Sequence, residues 1–188
     1  MKSVAIYCGS SAGTDPIYTS VGTQVGQYFG SKNIDVIYGG ASVGVMGAVA
    51  NGALSAGGRV IGILPSFLSV KERLHGQLTE LHTVETMHQR KQLIVDLSEG
   101  FIALPGGFGT LDELFEILTW GQLQRHHFPV AILNVKGYYD HLLGMIDHMT
   151  KEGLLRPSNR AMLLVSDDIA DLHEQMLAYE PDRVEKWW

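Results

Sequence analysis

Three glycines within four positions, followed by a hydroxyl and two acids, form the stretch of this 188-residue chain best suited to chemistry: Pro105-Gly106-Gly107-Phe108-Gly109-Thr110-Leu111-Asp112-Glu113. The stretch follows the apolar run Phe101-Ile102-Ala103-Leu104 and leads into the helical pattern that begins at Leu111. A strand, a glycine loop and a helix in that order make an anion site. Glycines let backbone N–H groups come close to a ligand, and the helix start offers unpaired donors and roughly +0.5 of a charge. Gly106, Gly107 and Gly109 are therefore candidate phosphate-binding residues, and the Thr110 hydroxyl is a further donor. The alternative is a tight turn closing a buried strand, which rarely needs three glycines.

Glu113 has two readings. Thr110-Leu111-Asp112-Glu113 matches a capping box, with the glutamate reaching back to the threonine amide. A carboxylate beside a bound phosphate adds unwanted negative charge, however, so its presence favours work on the ligand, and the catalytic reading is preferred. Glu116 shares the face of Glu113, whereas Asp112 is turned about 100° from it. Met87-His88-Gln89-Arg90-Lys91 sets two cations, Arg90 and Lys91, near a helix start where the dipole disfavours them; a neighbouring anion repairs this, unless they are a solvated surface pair.

Two more glycine clusters, Gly9-Ser10-Ser11 and Gly39-Gly40-Ala41-Ser42-Val43-Gly44-Val45-Met46-Gly47, also follow apolar runs. Ligands of parallel sheets bind at the carboxyl ends of strands, so Ser10, Ser11 and Gly40 join the candidate ligand set. The usual nucleotide fingerprints are not met. Asp112 stands where a dinucleotide loop needs its third glycine, and Val45 replaces the lysine of a P-loop, which disfavours NAD and ATP. Eight histidines raise a metal hypothesis. They show neither H-E-x-x-H nor paired-cysteine spacing, and no metal is expected. Nor does anything mark Lys91 as the Schiff-base lysine of a pyridoxal enzyme.

The elements that must position these residues alternate. Apolar runs of strand type occupy 4–8, 35–38, 59–64, 81–85, 101–104, 130–134 and 162–165, and helical stretches occupy 16–31, 43–56, 87–98, 111–124, 139–152 and 169–178. That rhythm predicts an α/β, Rossmann-like three-layer sandwich with a mostly parallel sheet of about seven strands. Asp15-Pro16 is a good helix start. The helix from Leu111 is apolar around much of its circumference, which fits either a central helix or a subunit interface. A chain of this length with 45% hydrophobic residues is expected to form a single domain spanning 1–188. Fourteen basic against twenty acidic residues give a net charge of −6, so no general pull toward nucleic acid or anionic membrane is expected. Cys8 has no intrachain partner and reads as a buried apolar group. No signal-peptide pattern or membrane-spanning run is seen, and the expected location is the cytoplasm.

The glycine loop together with Met87-His88-Gln89-Arg90-Lys91 resembles the LONELY GUY family of cytokinin riboside 5′-monophosphate phosphoribohydrolases. Tyr7-Cys8-Gly9-Ser10-Ser11, Tyr38-Gly39-Gly40 and Thr119-Trp120 extend the likeness over most of the chain. The resemblance implies a homodimer without metal, redox or other cofactor that cleaves a nucleoside 5′-monophosphate to a free purine base and ribose 5-phosphate. It also implies ligand-binding or catalytic roles for Glu72, Arg90, Lys91, Gly106, Gly107, Gly109, Thr110, Glu113 and Thr119, with Glu113 and Arg90 as the catalytic pair. Asp112 departs from the family's more usual glutamate. Older labels call such proteins lysine decarboxylases, a name these residues do not support. Two other readings remain: a broad AMP or purine nucleotide nucleosidase, and a nucleotide-binding carrier or sensor that breaks no bond.

Overall fold

The computed structural model describes residues 1–69 and 74–181. In chain order the elements are β1 (Ser3–Tyr7), α1 (Ile17–Ser31), β2 (Asp35–Tyr38), α2 (Gly44–Ser55), β3 (Val60–Pro65), α3 (Ser66–Ser69), β4 (Glu80–Val84), α4 (Met87–Leu97), β5 (Phe101–Ala103), α5 (Phe108–Gln122), β6 (Val130–Leu133), α6 (Asp140–Lys151), α7 (Pro157–Ala161), β7 (Leu163–Ser166) and α8 (Ile169–Leu177), with a 3₁₀ turn at Val135–Gly137 between β6 and α6. The seven strands lie in the order β4-β3-β2-β1-β5-β6-β7, and every pairing between neighbours is parallel.

The parallel, doubly covered character of the sheet follows from the strand sequences. Most strands are apolar at successive positions, as a sheet covered on both faces requires. Alternate side chains then feed two cores. On one face Val4, Ile6, Val36, Tyr38 and Ile102 pack with Val25 and Phe29 of α1, Val49 and Ala53 of α2, and Leu172 of α8. On the other, Ala5, Tyr7, Ile37, Phe101 and Ile132 pack with Ile94 of α4, Leu114 and Ile117 of α5, and Ile146 of α6. The result is the expected three-layer α/β sandwich. Cys8 is buried in the first core, and burial pushes its thiol pKa well up. Each anticipated strand and long helix is present with its ends moved by a few residues; α3, α7 and the 3₁₀ turn are additions.

Sequence order reverses between β1 and β5. The crossovers from β1 run outward to β4, the chain returns across α4, and β5 pairs on the free side of β1. At such a switch point the loops leaving two adjacent strands diverge and leave a crevice beyond the strand ends. The two loops here are Cys8–Pro16's span, residues 8–16, and residues 104–107, which include two of the three glycine clusters.

Candidate active site

The helix carrying the glycine loop begins earlier than its apolar pattern predicts. Gly107 is the N-cap of α5 and Phe108 its first residue, so Thr110 lies inside the first turn and Glu113 in the second. The anticipated capping box from Thr110 to Glu113 is therefore absent. Glycine at Gly107 and Gly109 weakens the helix signal at the start, while the backbone continues the helix through them. Among the described residues no side chain caps α5. A capping box does occur at α4, where Thr86 accepts from the Gln89 amide at 3.2 Å and the Gln89 side chain accepts from the Thr86 amide at 3.3 Å.

The loop glycines fall into two kinds. A Cβ on Gly106 would run into the Thr110 side chain and the Gly9 amide nitrogen, so close packing of the two crevice loops demands glycine there. A Cβ on Gly107 or Gly109 would meet no heavy atom within 4 Å, and neither residue has a positive φ. Neither packing nor backbone conformation requires glycine at those two positions. What glycine provides there is open access to the amides of the helix start from outside.

Glycines 39–47 do something else. Val45 N–H donates to Ser11 O (3.4 Å) and Met46 N–H to Gly9 O (3.2 Å), so the leading amides of α2 are satisfied by the neighbouring loop. Gly44, at φ +63°, packs directly on the Ser10 backbone. Gly40 takes φ +83° and its carbonyl accepts from His75 N–H at 3.1 Å. This cluster fits α2 against the first loop, and the α5 start is the open helix end. Gly9, Ser10, Ser11, Gly106, Gly107 and Tyr138 line a cavity of about 290 Å³ at the switch point, whereas Gly40 is not on its wall.

Arg90 and Glu113 meet in the interior. Their exposures are 8% and 7%, and Nη1 of the arginine lies 3.3 Å from Oε1 of the glutamate. Arg90 Nε also donates to Ile63 O at 3.1 Å, at the end of β3. Its second Nη passes where a Cβ on Gly39 would stand, which explains the glycine there. Burial raises the Glu113 pKa; Arg90 and Lys91 oppose this, and the nearby Asp112 and Glu116 add to it, with a net upward shift. Charge on a carboxylate in a dry site is costly, so this group holds its proton more readily than a surface glutamate.

Lys91 faces two acids one turn apart on α5, Asp112 Oδ2 at 2.7 Å and Glu116 Oε2 at 3.2 Å. Burial lowers its pKa, but the hydrogen bonds it donates to Asp112 and Glu116 more than reverse this, so the ammonium is held charged. The anions that compensate the two cations at the start of α4 are thus carboxylates of α5. A Schiff-base lysine needs a neutral amine, and Lys91 is held in the opposite state. Among the described residues, no three His, Cys, Asp or Glu side chains are grouped to hold a metal ion.

Of the remaining candidates, Thr119 lies on the exposed side of α5, its hydroxyl donating to Phe115 O at 2.7 Å, away from the crevice. Glu72 lies outside the described residues. Tyr138 and Tyr139 carry no signal in the sequence, and Tyr7 and Gly39 appear there only within motifs, with no role of their own. Burial, followed by the charges of Glu113 and Glu116, raises the Tyr7 phenol pKa. Tyr138 Oη donates to Gly106 O (2.8 Å) and Tyr139 Oη to Leu104 O (2.7 Å). A doubled tyrosine after a strand carries no motif by itself; the contacts exist only because β6 lies beside β5.

This geometry can be set against known proteins. A family described as possible lysine decarboxylase matches residues 46–176. The cytokinin riboside 5′-monophosphate phosphoribohydrolase of Rhodococcoides fascians is 44% identical over 169 residues, 89% of this chain and 85% of that protein. That of Arabidopsis thaliana is 40% identical over 180 residues, covering 96% and 84%, and a probable one from Oryza sativa subsp. japonica is 42% identical over 180, covering 96% and 73%. In structure the chain is similar to the Moco carrier protein of Chlamydomonas reinhardtii, with a TM-score of 0.70 at 20% identity over 94% of this chain and 97% of that one. A molybdenum cofactor binding protein of Rippkaea orientalis gives 0.69 at 23% identity, covering 94% of each. These two likenesses concern the fold. With identities of 40% and above over most of its length, and with the loop and buried ion pair in place, the chain belongs to the family of cytokinin riboside 5′-monophosphate phosphoribohydrolases.

Proposed function

We propose that this protein hydrolyses the N-glycosidic bond of adenosine 5′-monophosphates, with N6-modified forms as substrates, to give the free base and ribose 5-phosphate. The observation that carries the reading is a buried acid paired with a buried arginine in the second turn of the same helix whose start is open to an anion. Six residues at about 1.5 Å each separate Gly107 from Glu113 by roughly 9 Å along the axis, room for a ribose between a phosphate on the loop and the carboxylate. The names of the relatives support the same reaction.

The phosphate is held by the amides at the start of α5 with the Thr110 hydroxyl, and by Ser10 or Ser11 across the crevice. This fixes the sugar so that C1′ faces Glu113. As the bond to the base breaks, positive charge develops on the ribose ring. The Glu113 carboxylate stabilises that charge and takes a proton from the attacking water, whose oxygen bonds to C1′ as the base leaves with the glycosidic electron pair. Arg90, tied to Ile63 O, keeps Glu113 aimed. Lys91 supports this from behind by neutralising Asp112 and Glu116.

Phe115 on α5 and Leu123 just past its end are both exposed, which supports a homodimer built on this side of the helix. To test the function, the protein is incubated with AMP and with N6-isopentenyl AMP, and free base and ribose 5-phosphate are followed by chromatography. Faster release from the modified nucleotide is expected. Ligand bound but recovered intact would favour a carrier, and preference for plain AMP a broad purine nucleotide nucleosidase.

A further inference from the structure

The peptide between Gly106 and Gly107 joins two residues without side chains, so it is the unit of the loop that can rotate most freely. Its orientation matters. A trans peptide is planar, with its C=O and N–H pointing in opposite directions. One orientation gives a phosphoryl group a hydrogen-bond donor; the reverse gives it a carbonyl lone pair, which repels it.

The protein constrains this stretch from three sides. Leu104 O accepts from Tyr139 Oη (2.7 Å), Pro105 O accepts from Gly9 N–H (3.1 Å), and Gly106 O accepts from Tyr138 Oη (2.8 Å). Only the last of these acts on the Gly106–Gly107 peptide. The tyrosine is itself held. Its ring meets Tyr139 edge-on with centroids 5.0 Å apart and Tyr18 with centroids 5.6 Å apart. The turn that carries it is tied across the crevice by Lys136 Nζ to Asp15 Oδ2 at 2.7 Å. Tyr138, Gly106 and Gly107 also share the wall of the 290 Å³ cavity.

We infer that Tyr138 is a positioning residue for the phosphate loop: by holding the Gly106 carbonyl it turns the Gly107 amide toward the phosphoryl group of the substrate. This rests on the reading of the loop as a nucleoside monophosphate site. Tyr138 takes no part in the ion pair of Arg90 and Glu113, so its influence falls on binding of the phosphate and leaves the bond-breaking step in place.

Tyr138→Phe keeps the ring and removes the hydroxyl; Tyr139→Phe is the companion variant for a buried hydroxyl on the same turn. KM and kcat are measured with AMP, and inhibition constants with ribose 5-phosphate and with adenosine, which has no phosphate. For Tyr138→Phe, KM for AMP and Ki for ribose 5-phosphate should rise roughly three- to tenfold, as expected for one misdirected donor. The kcat and the Ki of adenosine should stay within about twofold of wild type. Equal losses for adenosine and AMP, a fall in kcat at unchanged KM, or no change at all would overturn the inference. A wild-type chain that releases no base fails the activity reading separately. In that case direct binding decides: preference for ribose 5-phosphate over ribose, lost in Tyr138→Phe, upholds the role of Tyr138, and no preference in the wild type overturns it.

Discussion

Gly39 is a glycine because the Arg90 guanidinium passes over it. Gly39→Ala should therefore displace Arg90 from Glu113 and lower kcat at least tenfold, since a misplacement of about 1 Å can cost as much as a hundredfold. Near-wild-type turnover in that variant would remove the ion pair from the mechanism. Glu113→Gln keeps the shape of the side chain and removes its charge, so kcat should fall by roughly 10² to 10⁴ in an assay of free base. The pH dependence has a definite sign. Burial shifts the Glu113 pKa upward, and the reaction needs the ionised form. The acid limb of kcat/KM should consequently fall at a higher pH than the value near 4.3 of a free glutamate, and it should vanish in the residual activity of Glu113→Gln.

At the scale of elements, the proposed mechanism makes α5 the link between binding and catalysis: its first turn faces the loop, its second carries Glu113, and both belong to one helix. The two kinds of glycine at its start predict opposite effects. Gly106→Ala collides with Thr110 and Gly9 and should lower the melting temperature. Gly107→Ala meets no protein atom, so its melting temperature should stay at or slightly above that of wild type, because alanine reduces the freedom of the unfolded chain. Its KM for AMP should nevertheless rise sharply. Loss of stability without loss of affinity in Gly107→Ala would show that the position serves packing. The α4 helix contributes through its own capping box, which fixes where Arg90 and Lys91 leave the backbone.

At the scale of the whole molecule, the outer side of α5 leaves apolar groups uncovered. Leu123 is 61% exposed, and with Trp120, Val95 and Phe128 it lines a groove of about 690 Å³ between α4 and α5. For the proposed homodimer on this face, Leu123→Glu should convert a dimer to a monomer in light scattering while leaving the far-ultraviolet spectrum unchanged. A monomeric wild type at micromolar concentration would refute that assembly. Three buried histidines make stability depend on pH. Burial lowers the pKa of His75, His126 and His173, and the ring of His173 lies edge-on to Tyr28 and Phe29. Their contribution is fully present above the unfolded-state pKa of about 6.5 and is lost as pH falls through the lower folded values. Urea unfolding should show lower stability near pH 5 than near pH 7.5, and a smaller difference in His173→Gln.

The amino-acid order by itself determined the layers and marked the glycine loop that the proposed mechanism uses for phosphate. Apolar runs separated by amphipathic stretches can be satisfied by little other than a covered parallel sheet, and a glycine-rich link from strand to helix leaves amides open wherever it occurs. It marked Arg90, Lys91 and Glu113 as unusual because each sits against the helix dipole or beside an expected anion. It misread the start of α5, since glycine lowers local helix propensity while tertiary packing carries the helix back to Phe108. Only the tertiary structure decided which acid each cation meets, why Gly39 must lack a side chain, and that Tyr138 reaches the Gly106 carbonyl 32 residues away. Those relations are distances between segments that become neighbours when β5 settles between β1 and β6, and spacing along a chain does not encode them.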